Sequence, residues 1–278
     1  MSDSNDHNSF PAVAVVLIIA TGIALAGMDA LAKFLALQVP IIMVLWGRYF
    51  FHTVITFSAY GIKTRSLQFL RARRPGLQFI RASALFGATF FMYQAITRMP
   101  LGDAAAIQFL APVLVTALSG LLLGEYVGPR RWAAVACGFI GVLMVARPGS
   151  GVLGWTGILT LGTAGLLAIY MMMTRIIRNQ DDPAATTFYS TALGALILSV
   201  LVIFNWQALT HLQWGLMIAM GATGAVGHYM LVKAFHMAEA SALAPFTYSQ
   251  LLAAIIWGLL LFGDISSIWT IGGAGAAA

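Results

Sequence analysis

The chain has 278 residues, of which 60% are apolar and only 9% are charged. Soluble domains usually have about a quarter of their residues charged. This composition therefore excludes an ordinary soluble enzyme or binding module and indicates an integral membrane protein with several spans. The formal net charge of +6 comes from basic residues that stand mostly between apolar runs. Such residues are topology signals, and we expect no nucleic-acid partner.

Cysteine usage is minimal. Cys137 is the one cysteine, and it lies in an apolar run. An intrachain disulfide and cysteine-based metal motifs are thereby excluded, and we expect no metal or other cofactor. The polar N-terminus lacks the basic segment of a cleaved signal peptide, so we expect the first span to be retained.

Apolar runs of about 20 residues, the length that crosses a bilayer, follow one another along the chain. Nine spans are predicted, with bounds Pro11–Leu37, Ile41–Tyr60, Leu77–Thr97, Asp103–Leu123, Arg131–Ala146, Trp155–Ile177, Pro183–Phe204, Trp214–Phe235 and Ser241–Phe262. A tenth begins near Ile268, where only eleven residues remain. We expect the sequence to stop inside that helix. The alternative is nine spans and a short tail.

The basic residues are distributed unevenly between the two sides of the membrane. Counted from the N-terminus, the even loops hold ten Lys and Arg residues, whereas the odd side holds three. Cytoplasmic loops carry the excess of Lys and Arg. We therefore predict a multi-pass protein of a bacterial-type inner (plasma) membrane, with its N-terminus in the cytoplasm.

Two stretches of the chain share one pattern. Met99–Glu125 and Met237–Asp264 each begin with small residues, continue as a helix-length apolar run and end with glycine and an acid. The matching positions lie 138 residues apart, and the closing glycine and acid come one residue later in the second copy. We predict an internal repeat, with residues 1–148 as the first five-helix half and residues 149–278 as the second. Because five is odd, the second half enters the membrane from the opposite face, as in carriers that alternate access.

The stretches AAAIQFLAPVLVTALSGLLLGE and ASALAPFTYSQLLAAIIWGLLLFGD, with MDALAKFL and VLWGRYF near the N-terminus, resemble the EamA-like branch of the drug/metabolite transporter superfamily. The resemblance covers nearly the whole chain. It implies an all-α integral membrane fold of ten transmembrane helices in two inverted five-helix repeats. It also implies export of amino acids, other metabolites or drugs, with amino-acid exporters of the YddG type nearest. The chain departs from the family pattern at the end of helix ten.

Several charged residues lie within or near the spans. Asp29 and Lys33 are one helical turn apart, and an intramembrane carboxylate can couple proton movement or meet a substrate amine. The alternative is that Lys33 reaches the outer surface and Asp29 is a structural partner. An unpaired Arg48 would cost on the order of 3 kcal/mol, so we expect it to pair with Asp29 or to hold a substrate carboxylate. His52 could titrate, but we expect a hydrogen-bonded packing role for it. We expect Arg81 to reach the surface at the cytoplasmic interface.

Aromatic, hydroxyl and amide side chains at helical spacing suggest a central substrate pocket, although such stripes are more often ordinary packing. The predicted substrate-binding residues are Thr89, Phe90, Tyr93, Gln108, Phe109, Tyr170, His228, Tyr248 and Gln250. Pro112 is predicted to bend the fourth span. Glu125 and Asp264 follow glycines at helix ends and are predicted to cap the helix that comes next.

These features predict a monomeric secondary transporter in the lipid bilayer. It would export small metabolites, most of all amino acids, by alternating access through a central cavity. A proton-coupled multidrug efflux carrier that uses Asp29 is the alternative. An integral membrane enzyme is more remote, because the sequence has no HExxH or paired-aspartate motif and its five histidines are scattered.

Overall fold

The protein's structure is a computed structural model that describes residues 12–64, 72–123, 128–146, 154–177, 183–237, 243 and 246–265. Nearly all of this part of the chain is helical. The helices are α1 (Ala12–Ala36), α2 (Ile41–Thr64), α3 (Pro75–Ile96), α4 (Leu101–Gln108), α5 (Leu110–Leu123), α6 (Pro129–Ala146), α7 (Trp155–Ile177), α8 (Pro183–Leu201), α9 (His211–Met237) and α10 (Ser249–Phe262). A 3₁₀ segment, Val202–Asn205, extends α8.

The all-helical membrane fold is confirmed for the described residues. Six helices are long and apolar enough to cross a membrane, and α10 is a shorter apolar helix. Since α4 and α5 are two parts of one predicted span, the described chain contains nine helical segments along its length. The predicted tenth helix, from Ile268 onward, lies outside the described residues.

The fourth predicted span is interrupted in the region where we predicted a bend. The helix is interrupted at Phe109, between α4 and α5. Pro112, three residues further on, has no N–H to donate to the carbonyl of Gln108, which would be its partner in a regular helix. The missing hydrogen bond explains why the break falls here. The span also begins earlier than predicted, at Leu101 rather than Asp103.

Helices from the two predicted halves of the sequence pack directly on each other. The main contacts pair α1 with α9 and α10, α2 with α8 and α9, and α3 with α7. Small residues allow the close approach, as is usual where helices meet in a membrane. A Cβ at Gly221 of α9 would lie 2.4 Å from the Cβ of Phe51 and 2.9 Å from the backbone nitrogen of His52. The polar residues of α1, α2 and α3 are thus enclosed by helices from the other half.

Candidate functional site

Asp29 on α1 and Arg48 on α2 face each other inside the bundle. Arg48 Nη1 lies 3.9 Å from Asp29 Oδ1, and the two side chains keep 13% and 12% of their surface accessible. Each residue stands seven positions from the nearest end of its helix, so the pair lies about 10 Å below that end of the bundle. Hydrogen-bonded ion pairs are shorter, roughly 2.7–2.9 Å. The two charges therefore attract each other without forming a closed pair.

Two buried tyrosines surround the guanidinium. The Cζ of Arg48 lies 5.2 Å from the ring centroid of Tyr93 and 5.8 Å from that of Tyr49. The Tyr49 hydroxyl donates a hydrogen bond to Thr89 Oγ1 at 3.0 Å, and Thr89 donates to the Leu85 carbonyl at 2.9 Å. Cation–π contacts of this kind stabilise a cation that has been removed from water. They hold Arg48 in place while its carboxylate contact stays long.

Helix α9 packs against the same group of side chains from the other half of the sequence. The Tyr93 hydroxyl lies 3.9 Å from Met220 Sδ, and the rings of His52 and His228 are 5.4 Å apart between centroids. Between them, a Cβ at Gly224 would lie 3.1 Å from His52 Nδ1. We call Asp29, Arg48, Tyr49, His52 and Tyr93, all from α1 to α3, the central polar cluster; α9 closes it from the other half.

A second charge pair, formed by Lys33 and Asp264, lies at the end of the bundle. Lys33 Nζ is 2.5 Å from Asp264 Oδ2 and donates a hydrogen bond to the Met99 carbonyl at 3.0 Å. The prediction that Lys33 reaches the outer surface is wrong, because the residue is only 7% exposed. The carboxylate that follows α10 and the Met99 carbonyl satisfy its ammonium group inside the protein. We call this pair the end clamp.

Asp264 also caps α4; the helix that follows Asp264 in the chain, which it was predicted to cap, lies outside the described residues. Its Oδ2 accepts a hydrogen bond from the backbone N–H of Leu101 at 3.1 Å, at the N-terminus of α4, where a carboxylate is favourable. Gly263 makes this approach possible, because its φ of +64° lets the chain reverse directly after α10. The cap therefore joins α10 to the other half of the sequence. Glu125, for which a similar role was predicted, lies outside the described residues.

Arg81 forms a separate buried cluster with α7 and α8. It is 3% exposed, so the prediction of a surface position is wrong. Its guanidinium donates hydrogen bonds to Thr174 Oγ1, the Thr186 carbonyl, Ser190 Oγ and the Tyr170 hydroxyl, at 2.6–2.9 Å. These neutral oxygens, together with the Tyr170 ring at 4.5 Å, replace its hydration. Tyr170, a predicted substrate contact, is thus engaged with Arg81.

The remaining predicted residues lie in two other places. Phe109, at the break between α4 and α5, stacks on Tyr248 with 5.2 Å between ring centroids and 19° between ring planes. Gln108 is its partly buried neighbour in the chain. The backbone of Gln250 lies against α1, where a Cβ at Gly22 would come within 2.7 Å of its nitrogen.

Phe90 packs beside Phe91 on α3, with 6.1 Å between ring centroids. Of the predicted substrate contacts, Tyr93 contacts Arg48 directly, and Thr89 and His228 contact Tyr49 and His52 of the central polar cluster. Sequence reasoning missed Tyr49 and Met220. Tyr49 follows Arg48 directly, which was an available signal, whereas nothing in the sequence distinguished Met220 from packing methionines. Within the described ranges, no group of three or more His, Cys, Asp and Glu residues is arranged to hold a metal ion.

Comparison with known proteins gives consistent results. The pattern of the EamA-like transporter family matches residues 12–147 and again residues 154–278. A riboflavin transporter of Vibrio cholerae is 26% identical over 91% of this chain and 86% of its own length. An S-adenosylmethionine uptake transporter of Rickettsia conorii is 24% identical over 88% of this chain and 83% of its own. A riboflavin transporter of Brucella anthropi is 29% identical over 72% of each.

A solved crystal structure shares the fold, with a TM-score of 0.65 and 19% identity over 97% of this chain and 98% of that chain. The matched family pattern covers both parts of the sequence and includes the helices that carry the central polar cluster and the end clamp. The chain therefore belongs to the EamA-like transporter family, and it is a membrane transporter of small metabolites rather than an enzyme.

Proposed function

We propose that the protein carries α-amino acids, or metabolites with an α-amino acid end, by alternating access through the centre of the bundle. In this proposal, Asp29 binds the ammonium group of the substrate and Arg48 binds its carboxylate. The observation that carries the proposal is the 3.9 Å separation of two oppositely charged side chains that both remain partly accessible.

A zwitterion fits this arrangement electrostatically. It presents one negative and one positive group, so it would neutralise Arg48 and Asp29 together without adding net charge to the membrane interior. Charge–charge attraction is several times stronger at the lower effective dielectric of a partly buried site than in water. The guanidinium can also bind a carboxylate through two parallel hydrogen bonds. An anion or a cation alone would leave one of the two protein charges without a partner.

The predicted lining residues would hold the rest of the substrate. Thr89 and Tyr93 border the charge pair, and Phe90 stands on the same helix. Further out, the Phe109–Tyr248 stack offers a flat apolar surface for a ring or an aliphatic side chain. Gln108, Gln250 and Tyr170 remain proposed contacts for other stages of the transport cycle, since each lies outside the immediate surroundings of the pair.

Alternating access would require the end clamp to open. Lys33 and the N-terminus of α4 belong to one half of the sequence, and Asp264 belongs to the other, so this contact holds the halves together at one end. The excess of Lys and Arg in the even loops predicts that this end faces the outside. Release to the outside would then follow separation of Asp264 from Lys33 and Leu101, as the halves rock about the central site.

The names of the two relatives favour two different classes of substrate. S-Adenosylmethionine, for which the Rickettsia protein is named, contains an α-amino acid end that Asp29 and Arg48 would recognise. That name also specifies uptake, so the outward direction that we propose has to be measured. Riboflavin, for which the Vibrio protein is named, has no such end. A carrier of neutral ring systems is therefore the second candidate, and the Phe109–Tyr248 stack favours it.

Transport into proteoliposomes containing the full chain would test the proposal. Each amino acid of a panel is compared with its decarboxylated amine and with the matching 2-hydroxy acid, which lacks the ammonium group; riboflavin and S-adenosylmethionine are included. We expect efficient transport only of compounds that carry both charged groups. Equal transport of the amine and the amino acid would contradict the proposal, and transport of riboflavin alone would establish the second candidate.

The same vesicles distinguish a facilitator from a proton-coupled efflux carrier. Asp29 is a carboxylate inside a span, and a carrier of the second kind needs a proton acceptor there. If coupling runs through Asp29, a pH gradient will drive accumulation by the wild-type protein, whereas Asp29→Asn will not respond to the gradient. If the protein is a facilitator, the wild-type protein itself will give no accumulation above equilibrium.

A further inference from the structure

One buried polar atom of the central polar cluster has no partner. His52 is 2% exposed, and among the described residues its Nε2 atom makes no hydrogen bond. Within the described residues, this atom does not take part in the hydrogen-bonded packing role that we predicted for His52. A neutral imidazole has one nitrogen that donates and one that accepts, and buried polar atoms in native proteins almost always have partners. Since no described residue pairs with this Nε2 atom, it is available to a hydrogen-bonding group of a ligand.

The His52 ring is held in place by its neighbours. On one side it contacts the ring of His228, 5.4 Å away between centroids and tilted by 42°. On another side, Gly224 comes so close that an added Cβ would lie 3.1 Å from His52 Nδ1 and 2.9 Å from Met28 Sδ. The ring is thus confined between α2 and α9. It has little freedom to rotate into a position where another protein group could bond to Nε2.

The position of His52 connects it with the substrate charges. It lies four residues after Arg48, so both residues occupy the same face of α2, one turn apart. It stands about 16 Å from the start of α2 at 1.5 Å per residue, near the middle of a membrane about 30 Å thick. A Cβ added at Gly224 would crowd Met28 as well as His52, and Met28 directly precedes Asp29 in the chain.

We propose that His52 Nε2 forms a hydrogen bond with a polar side chain of the substrate while Asp29 and Arg48 hold its ammonium and carboxylate groups. This inference rests on the proposed function and narrows it to amino acids with a hydrogen-bonding side chain. The spacing of one turn, about 5.4 Å, suits a side chain of roughly three to four bonds, such as that of glutamine. An aliphatic side chain of similar length would occupy the same space and leave Nε2 without a partner.

A substrate that leaves a buried polar atom unpaired is discriminated against, by roughly tenfold or more. The full-length protein in proteoliposomes would be assayed with glutamine and with norleucine, an aliphatic amino acid of similar length. We expect the wild-type protein to transport glutamine at least about tenfold more efficiently, as a ratio of kcat/KM values.

Three variants distinguish recognition from a structural role. His52→Leu should bring the ratio close to one, mainly by raising KM for glutamine, while norleucine transport continues. His52→Gln, which keeps a hydrogen-bonding group, should restore much of the preference. His211→Leu is the matched control, because His211 is exposed at the start of α9 and should leave the ratio unchanged. If His52→Leu does not purify as a monodisperse protein, His52→Phe keeps a ring against His228 and serves instead.

The outcomes separate this inference from the proposed function. A wild-type protein that transports glutamine and norleucine equally well would overturn the role of His52 and leave zwitterion transport standing. An unchanged preference in His52→Leu or His52→Phe would overturn it as well. A wild-type protein that moves neither amino acid would instead refute the proposed function.

Discussion

The two charge pairs on α1 differ in how completely they are closed. Lys33 and Asp264 meet at 2.5 Å, and each also binds a backbone group of the Met99–Leu101 segment. Asp29 and Arg48, one turn further into the bundle, remain 3.9 Å apart and lie beside aromatic rings. The closed pair has its main hydrogen-bonding groups occupied by protein. The open pair retains capacity for a ligand, and this difference separates a contact between helices from a candidate binding site.

The chemistry of the surroundings explains the difference. The end clamp lies where α4 begins and α10 ends, and helix ends leave N–H and C=O groups available for charged side chains. The central pair lies within helices whose backbone groups are already paired, so among the described residues these charges are stabilised by each other, by the Tyr93 hydroxyl and by aromatic rings. Charges in such a position are retained in membrane proteins mainly for function.

Removing one charge of the open pair should have the largest effect. Arg48→Gln leaves Asp29 without its counter-charge, which we expect to lower stability by about 3 kcal/mol. It also removes the proposed partner of the substrate carboxylate, a loss of about 2 kcal/mol or more of binding free energy, so transport should fall at least about thirtyfold. The measurements are thermal unfolding in detergent and substrate flux in vesicles. Arg98→Gln, at an exposed arginine, is the matched control.

A double variant separates a structural role of the pair from a role in substrate binding. Asp29→Asn combined with Arg48→Gln removes both charges, so no buried charge is left alone and stability should recover. Flux should not recover, because neither charged group of the substrate would have a partner. Recovery of flux together with stability would mean that the pair is purely structural.

Breaking the end clamp between Lys33 and Asp264 should have the next largest effect. Asp264→Asn removes the charge that neutralises Lys33 and weakens the cap on α4, which we expect to cost about 2–3 kcal/mol. The end of the bundle should then open more often. The rate at which a maleimide modifies Met99→Cys, placed at a buried position, should rise at least about tenfold in a Cys137→Ser background.

The partner residue provides the control for this experiment. Lys33→Gln should raise the labelling rate to a similar extent, and the double variant should add little, since both substitutions break one interaction. Additive effects of the two substitutions would show that Lys33 and Asp264 do not act as a pair.

Adding a methyl group where α9 packs closely on α1 and α2 should have a smaller effect. Gly224→Ala places a Cβ 2.9 Å from Met28 Sδ and 3.1 Å from His52 Nδ1, and overpacking of this kind should cost about 1–2 kcal/mol. Gly215→Ala on the same helix meets nothing within 4 Å and should be neutral or slightly stabilising, because alanine favours a helix. Equal unfolding temperatures for the two variants would contradict the close approach of α1, α2 and α9.

The smallest effect is expected outside both charge pairs. Phe109→Leu removes the stack on Tyr248 but keeps an apolar side chain, which should cost about 0.5–1 kcal/mol. The preference for aromatic over aliphatic substrates should fall a few-fold, as measured by competition in the flux assay. Phe139→Leu, at a half-exposed phenylalanine of α6, should leave that preference intact.

Much of the fold could be predicted from the sequence because it depends on local composition. Runs of apolar residues of bilayer length predicted the spans, and the bend that Pro112 causes follows from its missing N–H. Arg48 was expected to need a partner because a lone guanidinium in a span is costly. Each of these inferences uses one helix at a time, which is why most bounds agreed with the structure to within a few residues. The exception is α10, which begins at Ser249 and not at the predicted Ser241.

Only the tertiary structure decided which charges meet. From its spacing, Lys33 could pair with Asp29 or reach the surface; it bonds instead to Asp264, 231 residues away. Arg81 was expected at the surface because of its place in the third span, but α7 and α8 supply the acceptors that keep it buried. The sequence by itself determined the helices and the residues that require partners. The packing of one half on the other decided the partners, because the stabilising oxygen atoms come from helices distant in the chain.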